Sequence, residues 1–166
     1  MKNKTLSIVY SATIAALYCA LTLAVYPLSY GPLQFRISEA LCILPLFMPQ
    51  SVIGLTVGCF LSNIFSTAGP LDMIFGTLAT LIASIVSYLG GKYIKNTALK
   101  IIVGILSPTI FNAIIVPFAI LAMTDLSQMY FITALWIGVG ELTVLTTLGI
   151  PLYFSFRPIA KKLIEK

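Results

Sequence analysis

Arg36 and Glu39 stand three residues apart in the run Gln34-Phe35-Arg36-Ile37-Ser38-Glu39-Ala40-Leu41, the charged residues of an otherwise apolar stretch from residue 5 to residue 71. On a helix that spacing places both on one face, where they either pair with each other or receive something. A simple surface pair contributes little by itself. Ser38 and Glu39 also read as the opening of a helix, with Ser as the N-cap and Glu in the first turn. Glu141 is the costliest residue in the chain. It lies about twelve residues into an apolar helix, near mid-membrane, where a carboxylate costs a few kcal/mol and usually faces a cavity or a partner. Its neighbours Gly138, Ile137 and Ala134 leave a fairly open face. Asp72 and Asp125 each suit a helix N-terminus. Asn63 and Asn112 are amides in apolar helices and need hydrogen-bond partners, from the protein or from a polar ligand. Trp136 is the single Trp; it serves either an interfacial belt or ligand stacking. Trp136 sits roughly 140° around its helix from Glu141.

Several chemistries are excluded by what is missing. The chain has no His, which removes His-based metal sites, Ser-His-Asp and Cys-His catalysis, and a His proton relay. Gly91-Lys92 is followed by Tyr93 and lacks the upstream Gly of a phosphate-binding loop. ATP-driven work would therefore need another subunit. Cys19, Cys42 and Cys59 fall one per apolar segment, as small packing residues without a paired spacing. No nucleophile stands beside a base, so a membrane-embedded enzyme using Glu39, Asp72 and Glu141 is disfavoured, and no cofactor is implied.

The elements that position these residues are membrane helices. Of 166 residues 59% are hydrophobic and 9% charged, with a mean hydropathy of +1.04, whereas a soluble domain has about a quarter of its residues charged. The apolar runs reach the roughly 20 residues of a membrane span and lack the alternation of a transmembrane barrel. Lys2 and Lys4 precede Leu6–Tyr26, a run too long for a secretory signal and read as the first membrane helix. Its Ala12, Ala16 and Ala20 form a small-residue stripe for close helix contact, either internal or with a partner. Ile37 to Ala68 would be about 48 Å as one helix, too long for one membrane of about 30 Å. Pro49-Gln50-Ser51 divides it into two.

The expected spans are Leu6–Tyr26, Ile37–Met48, Val52–Ser66, Asp72–Gly90, Leu99–Met123 and Met129–Phe154. This arrangement places nine of the ten basic residues on the side of both termini, which the positive-inside bias makes cytoplasmic. Glu39, Asp72 and Asp125 then lie toward the outer face, with Arg36. The expected fold is an all-α integral membrane protein of the plasma membrane: one compact six-transmembrane-helix bundle over residues 1–166, with N and C termini cytoplasmic. No internal repeat of the inverted-transporter kind is visible.

A six-helix protein of this size, with an Ala-x-x-x-Ala-x-x-x-Ala face on helix 1, resembles the substrate-binding S components of energy-coupling-factor (ECF) transporters. More narrowly, the 34–41 motif, Gly58-Cys59 through Asn63, Asp72 to Gly76-Thr77, and Gly140-Glu141 resemble the QueT family, assigned to uptake of queuosine precursors, which are 7-deazaguanine bases. The resemblance implies an outward-facing cavity under the loop after helix 1. It also implies docking of Ala12, Ala16 and Ala20 on a transmembrane coupling subunit that carries two ATPase subunits. A deazaguanine offers a planar face to Trp136 or Phe75 and an N–H-rich edge to carboxylates, and its aminomethyl form is a cation. Glu141 and Glu39 would take the base edge or the ammonium, with Asp72 in support and Asn63 and Asn112 reading amide edges. Arg36 would orient Glu39 or bond a carbonyl. An S component for another small vitamin, or a stand-alone transporter in which Glu141 carries a proton, are the alternatives.

Overall fold

The structure, a computed structural model, describes residues 4–31, 34–67, 69–121 and 129–164, and all regular structure among them is helical. In chain order these are α1 (Lys4–Ala24), a short α2 (Tyr26–Ser29), a 3-10 helix (Ile37–Leu46), α3 (Gln50–Asn63), α4 (Gly69–Tyr93), α5 (Thr97–Leu121), α6 (Tyr130–Val144), a π turn (Leu145–Gly149) and α7 (Ile150–Ile164). Four helices are long and apolar enough to cross a membrane: Lys4–Ala24, Gly69–Tyr93, Thr97–Ala119 and the continuous Tyr130–Ala160. Asp125, expected to cap the last of these, lies outside the described residues.

Polarity is distributed as a lipid environment demands. Ile8, Ile53, Ile74, Ile114, Phe118 and Leu135 are exposed on the outside, while Thr22, Ser38, Glu39, Asn63, Asp72 and Glu141 are buried. In water the first set would be a costly apolar surface; in hydrocarbon it is the favoured one. Helix α1 packs on α3, α3 on α4, α4 on α5 and α5 on α6. The α1–α3 contact is close because Gly58 has no side chain. A Cβ there would meet Tyr18 Cβ at 2.8 Å and the Ala15 carbonyl at 2.9 Å.

The expected break at Pro49 is present, with α3 starting at Gln50. The segment before it differs from expectation in two ways. Residues Ile37–Leu46 form a 3-10 helix with Arg36 in the N-cap position and no side-chain cap, so Ser38 is not the cap. Its hydroxyl is instead 2.7 Å from Thr22 Oγ1. The helix is also interior: eight of its ten residues are buried, and it touches α1, α3, α4, α5, α6, α7 and the π turn.

Its two ends explain the winding. Arg36 meets Asp72 in the first turn of α4, and the Leu46 carbonyl lies 2.2 Å from where a Cβ on Gly91 would stand, near the other end of α4. Ten residues of 3-10 helix rise about 20 Å, against about 15 Å for an α-helix. Pro45 near its end also has no N–H to give to an α-helical ladder. The longer winding lets so short a segment run alongside α4 through the bundle.

Gly58→Ala should therefore lower the thermal midpoint in detergent, at a cost of about 1–3 kcal/mol for overpacking. Gly138→Ala, whose added Cβ would sit at an ordinary 3.5 Å from Ala113 Cβ, should leave it unchanged. Equal midpoints for the two variants would contradict the close α1–α3 contact.

Candidate functional site

The N-terminal end of the 3-10 helix brings the charged residues of the sequence motif into the protein interior. Gln34, with φ 43°, turns the chain into it; a left-handed non-glycine residue is uncommon, and this one is buried. Phe35 N–H then bonds the Leu28 carbonyl at 2.9 Å, tying the turn to α2. Arg36 Nη2 donates to Asp72 Oδ2 at 3.1 Å, with side chains 5% and 0% exposed. Its Nε donates to the Ser29 carbonyl at 3.4 Å, and its Cζ lies 5.2 Å from the Tyr30 ring centroid. Arg36 is thus committed to α4, and no Arg36–Glu39 pair forms. The spacing rule had considered neighbours on one helix, whereas the buried carboxylate that Arg36 meets is 36 residues away.

Asp72 is held from three directions. Besides Arg36, the Ser66 hydroxyl donates to Oδ2, and Asn63 Nδ2 donates to the Asp72 carbonyl at 3.0 Å. Gly76 leaves room for this arrangement, since a Cβ there would lie 2.6 Å from Asn63 Nδ2 and 2.9 Å from Asp72 Oδ1. Tyr30, between α2 and the 3-10 helix, donates its hydroxyl to the Ser62 carbonyl. Burial pushes its phenol up to about 12 against the opposing pull of Arg36, so it remains a neutral donor.

Glu39 is held by groups the sequence reading did not single out. Tyr18 of α1 donates its hydroxyl to Oε1, and Cys42 donates its thiol to Oε2 at 2.9 Å. Thr22, one turn beyond Tyr18, meets Ser38. A signal for Tyr18 was available: a tyrosine deep in a membrane helix needs a partner for its hydroxyl. The cysteines, read as packing residues, are free; Cys42 and Cys59 are buried, and Cys59 also accepts from Thr80 at 3.3 Å.

On the other side of the 3-10 helix, Asn112 of α5 donates Nδ2 to Glu141 Oε1 of α6. Glu141 is 4% exposed and its Oε2 has no partner among the described residues.

The structure therefore brings together Arg36, Glu39, Asn63, Asp72, Asn112 and Glu141. It does not bring in Trp136, which is 48% exposed on the outer surface of α6, as its angular offset from Glu141 requires. Phe75 is half-buried, one turn along α4 from Asp72. The alanines Ala12, Ala16 and Ala20 are exposed, while Ile14, Ala15, Tyr18 and Thr22 form the buried face of α1. Among the described residues no three of His, Cys, Asp and Glu converge as a metal site. A buried set of three carboxylates, two amides and one guanidinium is suited to binding a polar molecule.

Comparison with known proteins agrees with a transport role. The QueT transporter family matches residues 8–158. The "Queuosine precursor transporter QueT" of Lactococcus lactis subsp. cremoris (strain MG1363) is 43% identical over 83 residues. That match takes in 49% of this chain and 48% of the relative, so the alignment spans about half the length of the curated protein. No solved structure matches. With the family match extending over nearly the whole helical bundle, the chain belongs to the QueT transporter family.

Proposed function

We propose that this protein is the substrate-binding S component of an ECF-type importer in the plasma membrane, and that it takes up a queuosine precursor, a 7-deazaguanine base, from an outward-facing cavity. The observation that carries the reading is the buried cluster of Glu39, Asp72, Glu141, Asn63 and Asn112 inside a bundle with an apolar exterior. Such groups are expensive in a membrane and are retained there for a solute or ion. The family membership and the relative's name favour the deazaguanine over another small vitamin.

The six-crossing topology is supported by the 3-10 helix, which runs alongside α4 from Asp72 toward Gly91 and stands in the chain between α1 and α3. With it, Lys4, Lys92, Lys95, Lys100 and Arg157 share one end of the bundle, which the positive-inside bias assigns to the cytoplasm along with both termini. Arg36 and Asp72 then lie toward the outer face. The absence of a phosphate-binding loop from the sequence leaves ATP hydrolysis to two ATPase subunits, reached through a transmembrane coupling subunit. The exposed Ala12/Ala16/Ala20 stripe suits close docking on that subunit.

Two measurements test this. Calorimetric titration of the purified protein with a 7-deazaguanine should show binding that falls about tenfold or more in Glu141→Gln and in Glu39→Gln, the scale of a hydrogen bond to a charged group. Unchanged affinity in both variants would sink the site assignment. Uptake in cells should require the ATPase subunits and survive dissipation of the proton gradient; the reverse pattern would favour a stand-alone transporter in which Glu141 carries a proton. Ala16→Leu, on an exposed face, should keep ligand binding yet lose co-purification with the coupling subunit.

A further inference from the structure

Glu39 is oriented by two side chains that carry no charge. The Tyr18 hydroxyl of α1 donates to Oε1, and the Cys42 thiol donates to Oε2 at 2.9 Å. All three residues are buried. One donor stands on each oxygen, and the two donors come from different helices, so neither the tilt nor the rotation of the carboxyl group is free. A thiol is a weak donor in water, but a charged acceptor in a water-poor interior strengthens the bond it makes. A carboxylate has about four lone-pair sites, so two donors leave Glu39 with capacity for a ligand.

The winding of the segment is what lines up the thiol. At three residues per turn the side chains at i and i+3 of a 3-10 helix eclipse, whereas an α-helix would set them about 60° apart. Glu39, Cys42 and Pro45 therefore form one row, and all three are buried. The phenol is held in register from the other element. One turn along α1 from Tyr18, Thr22 Oγ1 lies 2.7 Å from Ser38 Oγ, the residue before Glu39. That second contact fixes the height of Tyr18 against the 3-10 helix.

We propose that Tyr18 and Cys42 are positioning residues, which hold the Glu39 carboxylate in a fixed orientation before a solute arrives. Binding then does not have to order a rotamer-rich side chain, a cost that otherwise comes out of the affinity. The inference rests on the reading of Glu39 as a ligand-binding group and adds that a phenol and a thiol, acting through Glu39, set part of its strength.

The test uses variants that remove a donor and keep the packing. Tyr18→Phe keeps the ring and loses only the hydroxyl; Cys42→Ala loses the thiol, and Cys42→Ser restores a donor at the same position. Each purified full-length protein is titrated with a 7-deazaguanine. Tyr18→Phe and Cys42→Ala should each bind about twofold to tenfold more weakly, the cost of ordering one such side chain, and Cys42→Ser should bind like the unmodified protein. A second readout needs no ligand. The infrared S–H stretching band of Cys42, assigned by its loss in Cys42→Ala, should move to higher frequency in Glu39→Gln, where the thiol loses its carboxylate acceptor. Unchanged affinity in Tyr18→Phe or in Cys42→Ala overturns the role of that residue. A Cys42→Ser protein as weak as Cys42→Ala, or a band that stays in place in Glu39→Gln, overturns that of Cys42. Lack of binding by the unmodified protein overturns the deazaguanine reading instead, and the band shift then still decides whether Cys42 holds Glu39. Should Cys42→Ala fail to fold, Tyr18→Phe and the infrared comparison of the unmodified protein with Glu39→Gln decide.

Discussion

The buried ion pair between Arg36 and Asp72 is the interaction on which the interior arrangement depends. Arg36 occupies the N-cap position of the 3-10 helix, where the helix already presents its unsatisfied N–H groups and the positive end of its dipole. A guanidinium there is unfavourable unless an anion stands close by. Asp72 supplies it from α4, and Glu39 adds a second negative charge in the first turn. Removing one member of a buried pair typically costs about 3–5 kcal/mol because the other charge is left uncompensated. The pair therefore fixes the height at which the 3-10 helix enters the bundle, and hence where Glu39 and Cys42 come to rest.

Much of this was legible in the chain. Helical class with apolar, span-length segments followed from the apolar runs, and the division at Pro49 from its local turn chemistry, while Glu39, Asp72 and Glu141, which stood out by their rarity in apolar sequence, are all buried. The winding of Ile37–Leu46 was not legible, since a 3-10 helix and an α-helix bury similar residues over ten positions; the choice is made by the distance the segment must cover between Asp72 and Gly91. The partner of Arg36 was hidden for a related reason. Local rules weigh neighbours at i+3 and i+4, while the ion pair joins residues brought together only by packing of the 3-10 helix on α4. Tyr18 and Cys42 were missed because each looks like ordinary membrane-helix composition until its polar atom is seen against Glu39.

The division of labour between the two carboxylate sites follows from what surrounds each. Glu39, on the 3-10 helix, accepts one bond on each oxygen, from the Tyr18 phenol of α1 and from the Cys42 thiol, and so ties α1 to the 3-10 helix while keeping further acceptor capacity. Glu141 sits across the 3-10 helix with one amide for company. Just beyond it the last helix widens into the π turn at Leu145–Gly149, which also packs on the 3-10 helix. Single π turns occur often at functional sites, where they interrupt regular side-chain stacking. Here the interruption begins four residues after the least satisfied carboxylate of the cluster.

Helix α1 carries two different surfaces, and their placement ties the interior to the exterior. One face presents Ile14, Ala15, Tyr18 and Thr22 inward, where Gly58 lets α3 close against it and Tyr18 reaches Glu39. The other presents Ala12, Ala16 and Ala20 outward with no described neighbour covering them. At 21 residues α1 is a rod of about 32 Å, packed too tightly on α3 to slide without disturbing Tyr18. The helix that carries the exposed alanines thus also carries the phenol that meets Glu39.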